Sequence, residues 1–318
     1  DHTSSLMFME KWLSKKTGKN IRSNNISDWR RTICGDLTSV FRPYNGEKIK
    51  SPEALKRDVV VTNIGNAKNK PAQIGPTALN KIDVAKVNKF EAFSTQTSVH
   101  APKQENGTKS ACALPYHLMV DANLLNNEIE LTFQSSKTLF GNEVETVGAP
   151  FNMNSNAKFK GVAGKIWAYA VKAGDTIKDK INIEDFDNEV YDLAVTGPNG
   201  FYRHFVGNKK NPQIVIKAFP EQGGLISKRL TGNLLFSIEN KTTTAITIQV
   251  IDNKYKTSTQ TITLKAKSST NVLLNLSKNA NWYDFTIVQT TNTIFKHRYA
   301  GKIETGEITK TDPFMGNE

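Results

Sequence analysis

The segment YDLAVTGPNGFYRHFVG at residues 191–207 decides the fold, because it recurs as YDFTIVQTTNTIFKHRYAG at residues 283–301. In each copy a short apolar run leads through a turn to a second run, and the spacing from phenylalanine to glycine is identical. The gap from tyrosine to phenylalanine differs by two residues, which a longer hairpin loop absorbs at little cost. The two segments therefore predict two hairpins of the same kind.

The similarity between the two copies extends upstream of these hairpins. Residues 171–174 match residues 264–267, and an apolar strand pattern precedes each pair, at residues 129–133 and 234–238. The roughly constant offset of about 93 residues is the size of an ordinary β-sandwich domain. Two copies of one module explain all of these matches.

We predict one antiparallel β-sandwich at residues 111–208 and a second at residues 209–318. Short alternating runs bounded by turn residues occur in this part of the chain, as in Glu128–Phe133, and such alternation is typical of half-buried strands. The two sandwiches should superpose, with Tyr191 over Tyr283.

Four basic side chains lie in the second strands of the two hairpins: Arg203, His204, Lys296 and His297. The alternating aromatic residues can line the core, and we expect these four residues at outward or rim positions. A structural role is favoured over ligand binding for all four. In the turn of the first hairpin, Gly200 is expected to take the positive φ that a tight turn needs.

The sequence pattern predicts that the N-terminal region is helical. Apolar residues recur near the 3.6-residue period between Leu6 and Leu13, and Thr3 or Ser4 can cap the helix. Sixty residues cannot form a catalytic core, so we interpret residues 1–60 as the closing layer of a larger domain and the chain as a fragment of a longer protein. Residues 61–110, rich in Asn, Lys, Gln, Thr and Pro, are interpreted as a linker with helical patches.

The net charge of +12 is spread along the chain. Residues 111–208 carry 8 basic and 12 acidic side chains, whereas residues 209–318 carry 15 and 8. Because no Lys/Arg-rich block and no aromatic RNA-binding motif accompanies the excess, nucleic acid is not an expected partner. An anionic membrane surface stays possible, although a solvated lysine surface is favoured. Cys34 and Cys112 can form one bridge or remain two separate thiols.

Few residues carry the signature of a reactive site. An Asp-His pair before a helix, such as Asp1-His2, can place an imidazole at a metal or phosphate site, although capping and packing roles compete. A polar cluster follows at Arg30, Arg31, Asp36 and Thr38. Arginines suit phosphate, but an Arg–Asp pair that pins a loop is the commoner use. No nucleophile elbow, zinc motif or P-loop occurs in the sequence, so catalysis by this chain alone is not expected.

Taken in order, these short motifs resemble the C-terminal portion of the bacterial phosphocholine-type (non-haemolytic) phospholipases C, in the alkaline-phosphatase-like superfamily. The resemblance covers nearly the whole chain. The motifs that carry it are Asp1-His2-Thr3-Ser4, Trp29-Arg30-Arg31, Cys34-Gly35-Asp36-Leu37-Thr38-Ser39, Leu114-Pro115-Tyr116, Tyr191-Asp192-Leu193, Gly197-Pro198-Asn199-Gly200-Phe201, Trp282-Tyr283-Asp284 and Ala300-Gly301.

The resemblance implies a mainly β fold class: two tandem antiparallel β-sandwich modules, preceded by a short, mostly α strip from the end of an α/β alkaline-phosphatase-like phosphoesterase domain. It implies a parent enzyme that hydrolyses phosphatidylcholine or sphingomyelin to a lipid alcohol and phosphocholine with a divalent metal. It places His2 as a phosphate or metal contact, with Asp1 as an orienting residue or ligand. The expected partners are a phospholipid surface and the upstream catalytic domain, in a periplasmic or extracellular location.

A second function class also explains the repeat. A non-enzymatic surface-binding or adhesion protein can be built from tandem sandwiches. That alternative does not account for the helical, arginine-bearing strip at the N-terminus or for the ordered match to a phosphoesterase terminus.

Overall fold

The strands of both predicted sandwiches form in the structure, a computed structural model that describes residues 2–41, 44–48, 51, 53–72, 78–88, 106–136, 148–224 and 229–316. The helices within these residues are α1 His2–Thr17, α2 Asp28–Ile33, α3 Arg57–Asn66 and α4 Lys81–Asn88. The strands are β1 Ser110–Ala111, β2 Leu118–Leu125, β3 Glu128–Ser135, β4 Ala149–Ser155, β5 Ile166–Val171, β6 Thr176–Asn182, β7 Val190–Thr196, β8 Tyr202–Asn208, β9 Ile214–Gly223, β10 Arg229–Asn240, β11 Ile246–Asp252, β12 Gln260–Leu264, β13 Ser269–Leu274, β14 Trp282–Gln289, β15 Asn292–Lys302 and β16 Thr309–Lys310.

The two sandwiches repeat the same seven-strand topology. In the first, a sheet ordered β2-β3-β6 faces four strands ordered β5-β4-β7-β8; in the second, β9-β10-β13 faces β12-β11-β14-β15. Each strand of the first sandwich thus has a counterpart seven strands later, and every pairing is antiparallel. The predicted mainly β fold with two tandem antiparallel modules is confirmed.

Alternation of side chains explains the packing of each sandwich. Along β3, buried and half-buried residues alternate without exception, as expected for a strand with one face on a core. The buried Phe133 on this strand stacks on Tyr169 of β5 with ring centroids 4.2 Å apart and meets Phe151 of β4 at 5.6 Å. In the second sandwich, Phe236 of β10 and Tyr299 of β15 make an aromatic contact between the sheets, at 5.0 Å.

The two sandwiches share one eight-stranded sheet, because β8 pairs with β15. His204 lies opposite Arg298 in this pairing, and these two residues are counterparts in the repeat, each three positions after the matching Phe201 and Phe295. The pairing is therefore symmetric about a pseudo-two-fold axis between His204 and Arg298. It removes one edge of each four-stranded sheet, so β8 and β15 are not available to pair with other chains, and β5 and β12 remain as the edges of the shared sheet.

The N-terminal helices pack on the first sandwich. Helix α2 contacts β4 and β5, and a Cβ on Gly148 would lie 2.5 Å from the carbonyl oxygen of Thr32, so the backbones approach too closely for a larger residue. Ser27 caps α2 through its side chain, which accepts from the amide of Arg30. Helix α1 starts at His2, so Thr3 and Ser4 lie inside its first turn, where both are buried, rather than before it as predicted.

Contacts divide the chain into two units, residues 1–39 with 107–318, and residues 40–106. The second unit holds α3 and α4, which lie where helical patches were predicted, and α3 buries none of its residues. The assignment of residues 1–60 to a catalytic domain and of 61–110 to a linker stays a prediction. Cys34 and Cys112 do not form a disulfide with each other.

Candidate functional site

The predicted reactive pair lies at the start of the helical layer. Asp1 is outside the described residues, and His2 is exposed at the first position of α1. Directly after it, Thr3 is buried and its hydroxyl accepts from Nη1 of Arg30 at 3.2 Å. The start of α1 is thus anchored to α2, while the imidazole of His2 faces outward.

The arginines of the polar cluster hold the helical layer together. Arg31 donates to both carboxylate oxygens of Glu10, at 2.8 and 2.9 Å, and to the carbonyl oxygen of Ser23 at 2.8 Å. Hydrogen bonds from the Arg31 guanidinium lower the pKa of Glu10 to about 2. Because both side chains of the pair are largely covered, this bidentate contact fixes α1 against α2.

Asp36 and Thr38 form a separate loop contact. The Asp36 carboxylate accepts from the amide of Thr38 at 3.0 Å and from its hydroxyl at 2.5 Å, and it pairs with Lys11 of α1. The predicted Arg–Asp pair does not form among the described residues; Arg31 pairs with Glu10, and Asp36 with Lys11. The use that sequence reasoning favoured, pinning a loop to a domain body, is the one that these contacts serve.

A metal site is not assembled by the part of the chain that the structure describes. Within that part, no group of three or more His, Cys, Asp or Glu side chains is placed to hold an ion. His2 supplies at most one ligand, whereas a catalytic zinc ion takes three protein ligands. A metal bound near His2 would therefore depend on residues outside those described.

Two of the four basic residues in the hairpins are not at outward positions. Arg203 and His297 are buried, with 2% and 3% of their surface exposed, and they point into the space between the facing sheets. Adjacent side chains in a strand point to opposite faces, so Arg203 and His204 could not both be outward. Only His204 and Lys296 lie on the outer face, half-buried.

The outer face of the shared sheet carries two related polar triads. In the first sandwich, Asp192 accepts from Asn156 at 2.8 Å and contacts Nε2 of His204 at 2.6 Å. Burial opposes ionisation of Asp192, but these hydrogen bonds outweigh it and lower its pKa. The triad of the second sandwich occupies the repeat-related positions. In it, Asp284 accepts from Asn253 and from Arg298. Each triad joins an aspartate to the side chain next to the pseudo-two-fold axis, His204 in the first and Arg298 in the second, which favours a structural role.

The loop between β4 and β5 presents an apolar tip with lysines around it. We call residues 156–166, which are the connection together with the first residue of β5, the β4–β5 loop. Val162 and Ile166 are 65% and 63% exposed, and three exposed lysines flank them, at positions 158, 160 and 165. Aliphatic side chains among lysines and a nearby tryptophan are the composition of protein segments that enter a lipid interface. Sequence reasoning missed this loop, although the alternation of lysine and apolar residues was visible in it.

The β4–β5 loop is held in a defined shape. The amides of Phe159 and Val162 each donate to the other residue's carbonyl, at 2.9 and 3.0 Å, around a turn in which Lys160 and Gly161 have positive φ. The Phe159 ring meets Trp167 and Phe186 edge-on at 5.2 and 5.3 Å. Because the base of the loop is packed, the tip is preorganised, which reduces the entropy lost on binding.

The corresponding loop of the second sandwich is polar. Residues 253–259 join β11 to β12, and the Asp252 carboxylate accepts from the amides of Lys254, Tyr255 and Thr257 at 2.8 to 3.0 Å. The Tyr255 hydroxyl donates to Asp312 at 2.9 Å. No large apolar side chain is exposed at this loop, so the apolar tip belongs to the first sandwich alone. Among the described helices, none is both long and apolar enough to cross a membrane.

Comparison with known proteins identifies relatives along the whole chain. The chain is 28% identical to the "Non-hemolytic phospholipase C" of Pseudomonas aeruginosa and 26% identical to that of Burkholderia pseudomallei, and each alignment covers 99% of this chain. It is also 26% identical to the "Hemolytic phospholipase C" of Pseudomonas aeruginosa, again over 99% of its length. The chain spans about 40% of the length of these relatives.

A solved structure and a family model complete the comparison. The red sea bream transglutaminase aligns over 58% of this chain and 31% of its own, with 10% identity and a TM-score of 0.20. A TM-score this low is no evidence of a shared fold. The family described as bacterial phospholipase C, C-terminal domain, matches residues 110–208 and 217–302, one match for each sandwich. Since these two matches cover more than half of the chain, it belongs to this bacterial phospholipase C family.

Proposed function

We propose that this chain is the C-terminal part of a phospholipase C that hydrolyses phosphatidylcholine or sphingomyelin to diacylglycerol or ceramide and phosphocholine. The observation that carries the proposal is the alignment of 99% of the chain with phospholipases C that are more than twice as long. In this proposal the catalytic centre, with its divalent metal, lies mostly in the rest of the enzyme. The enzyme acts in the periplasm or outside the cell, and this chain alone releases no phosphocholine.

We further propose that the first sandwich contacts the lipid surface through the β4–β5 loop. Removing a Val or Ile side chain from water is worth about 1.5–3 kcal/mol when burial is complete, so partial insertion of Val162 and Ile166 provides useful affinity. The charge near the loop is mixed, because Asp185 lies 3.4 Å from Lys160. Contact with a zwitterionic phosphatidylcholine surface thus depends more on the apolar tip than on net charge.

Vesicle binding by the full-length enzyme tests the lipid contact. The double variant Val162→Asp/Ile166→Asp should bind phosphatidylcholine vesicles at least about 10-fold more weakly, a change of 1.4 kcal/mol. The matched control Ser258→Asp/Thr259→Asp adds the same charge to the polar loop of the second sandwich and should change binding less than about 2-fold. Phosphocholine release from a short-chain, water-soluble substrate should be the same in both. Equal vesicle binding by the two variants would refute the role of the loop.

The proposed contribution of His2 is tested in the same full-length enzyme. Loss of a preorganised phosphate or metal contact typically costs about 100-fold or more in kcat, so His2→Ala should lower phosphocholine release by that factor. Because His2 is exposed, the thermal midpoint should stay within a few degrees. Lys15→Ala, an exposed position in the last turn of α1, serves as the control and should keep wild-type turnover. Wild-type kcat in His2→Ala would return His2 to a structural role.

A further inference from the structure

A cleft lies at the junction of the two sandwiches, where the half-buried segment before β2 approaches β9. Its open volume is about 470 Å³, and the enclosed part has room for one or two water-sized occupants. The side chains with polar groups that line it are Arg203, Tyr116, His117, Asn199, Tyr283, Lys302 and Glu304. Both sandwiches contribute to this lining, so an occupant would bridge them.

Arg203 has one N–H donor at the cleft that lacks a hydrogen-bond partner among the described residues. Its Nη1 donates to the carbonyl oxygens of Tyr202 and Ala300, at 2.9 and 3.0 Å, and its Nη2 donates to the hydroxyl of Tyr283 at 3.1 Å. Its Nε is buried and has no hydrogen-bond partner among the described residues. A buried donor without a partner costs about 1–3 kcal/mol, more when it is charged, so an acceptor is expected beside it.

His117 brings a second uncommitted group to the same cleft. Neither of its ring nitrogens has a hydrogen-bond partner within the described part of the chain, although both atoms are buried. Burial lowers the pKa of His117 to about 4, so at neutral pH its ring is uncharged and offers one N–H donor. The cleft therefore presents a charged donor and a neutral donor, both without acceptors.

The charges in the cleft leave Arg203 uncompensated at close range. Lys302 and Glu304 neutralise each other, with Nζ and Oε1 3.2 Å apart and both side chains buried. The Oε1 of Glu304 also accepts from Nδ2 of Asn199 at 2.7 Å, and its Oε2 accepts from the amide of Leu114 at 3.4 Å, so both oxygens have partners. No described carboxylate forms an ion pair with Arg203; instead, aromatic rings surround its guanidinium, with the Phe201 ring centre 4.0 Å away.

Asp121 is an acidic group that interacts electrostatically with Arg203. Burial raises the pKa of Asp121 to about 6, and the charges of Arg203 and Lys217 oppose that rise. Among the described residues, Asp121 forms no direct ion pair with Arg203 or Lys217, so its carboxylate is not the acceptor that Nε of Arg203 lacks. A buried guanidinium N–H without an acceptor, a second unpaired donor and a space of one or two waters together describe a site for a small anion.

We propose that the junction binds one small monovalent anion of the halide class, which accepts hydrogen bonds from Nε of Arg203 and the N–H of His117. The anion replaces a missing acceptor and ties β8 of the first sandwich to the segment that precedes β2. Cations are disfavoured by Arg203 and Lys302, and the enclosed space is too small for a phosphate ester. The function of the site is to stabilise the first sandwich, which supplies both donors, where it meets the second.

Bromide, which has a usable anomalous signal, is the direct probe. Crystals of the protein grown in sodium bromide should show an anomalous peak within about 3.5 Å of Nε of Arg203, in keeping with hydrogen bonds to a large anion. In solution, sodium chloride should raise the thermal midpoint saturably by a few degrees relative to sodium gluconate at equal ionic strength. A water at the position without an anomalous peak, or equal midpoints in the two salts, would overturn the proposal.

Two histidine variants separate the site from general salt effects. His117→Leu removes one donor and should abolish most of the difference between chloride and gluconate. His204→Leu removes a histidine on the outer face of the sheet and should retain that difference in full. An undiminished chloride effect in His117→Leu, or its loss in both variants, would show that chloride acts elsewhere.

Discussion

At the scale of single residues, His297 shows how burial turns a titratable group into a stability determinant. Its ring packs between Phe205 and Phe295, with centroids 4.9 and 4.7 Å away. Burial, assisted by the nearby His204, lowers the pKa of His297 to about 3. The ring is therefore held neutral under conditions in which an unfolded histidine is protonated.

This depressed pKa predicts a loss of stability in acid. Below about pH 6.5 the unfolded chain binds a proton at His297, whereas the folded chain does not bind it until about pH 3. The free energy of unfolding therefore falls as the pH falls through this window. One such group contributes a slope of up to about 1.4 kcal/mol per pH unit. Urea unfolding at several pH values between 7 and 4 should show a smaller slope in His297→Phe than in the wild type.

Other groups contribute to the same pH window and set the control. His117, with its pKa lowered to about 4, adds to the acid loss, whereas Asp121, with its pKa raised to about 6, opposes it because the folded state takes up its proton first. Both remain in the His297→Phe variant, so the comparison isolates His297. An unchanged slope would mean that His297 is protonated in the folded state.

At the scale of elements, the repeated hairpin is explained by a tyrosine facing a glycine. Tyr191 of β7 lies opposite Gly207 of β8, and Tyr283 of β14 lies opposite Gly301 of β15. A Cβ on Gly207 would lie 2.5 Å from the Tyr191 hydroxyl, and one on Gly301 would lie 3.2 Å from the Tyr283 hydroxyl. The glycine at the end of each motif therefore makes room for the tyrosine across the hairpin.

The space around the two glycines differs, so a glycine-to-alanine substitution should lower the stability of the protein more at one position than at the other. In Gly207→Ala the new methyl group also overlaps the buried side-chain amide of Asn211, which bonds the Tyr191 hydroxyl at 2.9 Å. Overpacking of this kind costs about 1–3 kcal/mol. Gly301→Ala meets a milder contact, although its φ of +151° adds some strain. Chemical denaturation should find Gly207→Ala the less stable variant, and the reverse order would contradict the explanation.

At the scale of the whole molecule, the continuous eight-stranded sheet couples the two sandwiches. The β8–β15 pairing joins their backbones, and one cluster of buried apolar residues runs through both. Separating the sandwiches would expose two strand edges and the buried guanidinium of Arg203. Each sandwich therefore depends on the other more than consecutive domains joined by a linker do.

This dependence predicts that the two sandwiches unfold together. Trp167 lies on β5 of the first sandwich and Trp282 on β14 of the second. The chain has four tryptophans, so variants in which Trp12, Trp29 and one of these two are replaced by phenylalanine report each half separately. Urea transitions followed by the two tryptophans should have coincident midpoints. Two separated transitions would show that the shared sheet does not couple the halves.

The sequence by itself determined the repeated module, its strands and the hairpin partners Tyr191 and Tyr283. These features depend on local alternation, on turn residues such as Gly200, which has the expected positive φ of +71°, and on spacing within one chain segment. The helical layer also followed from local periodicity. His2 was singled out by resemblance, and its role stays a prediction.

Only the tertiary structure decided that β8 and β15 join, and that Arg203 and His297 lie on the face that the second sheet of each sandwich covers. Alternation along a strand states which residues share a face, but not which face another layer covers. The pairing of β8 with β15 joins residues almost a hundred positions apart, and neither strand carries a local signal for it. The cleft at the junction is a further consequence of the same pairing, because residues of both sandwiches line it.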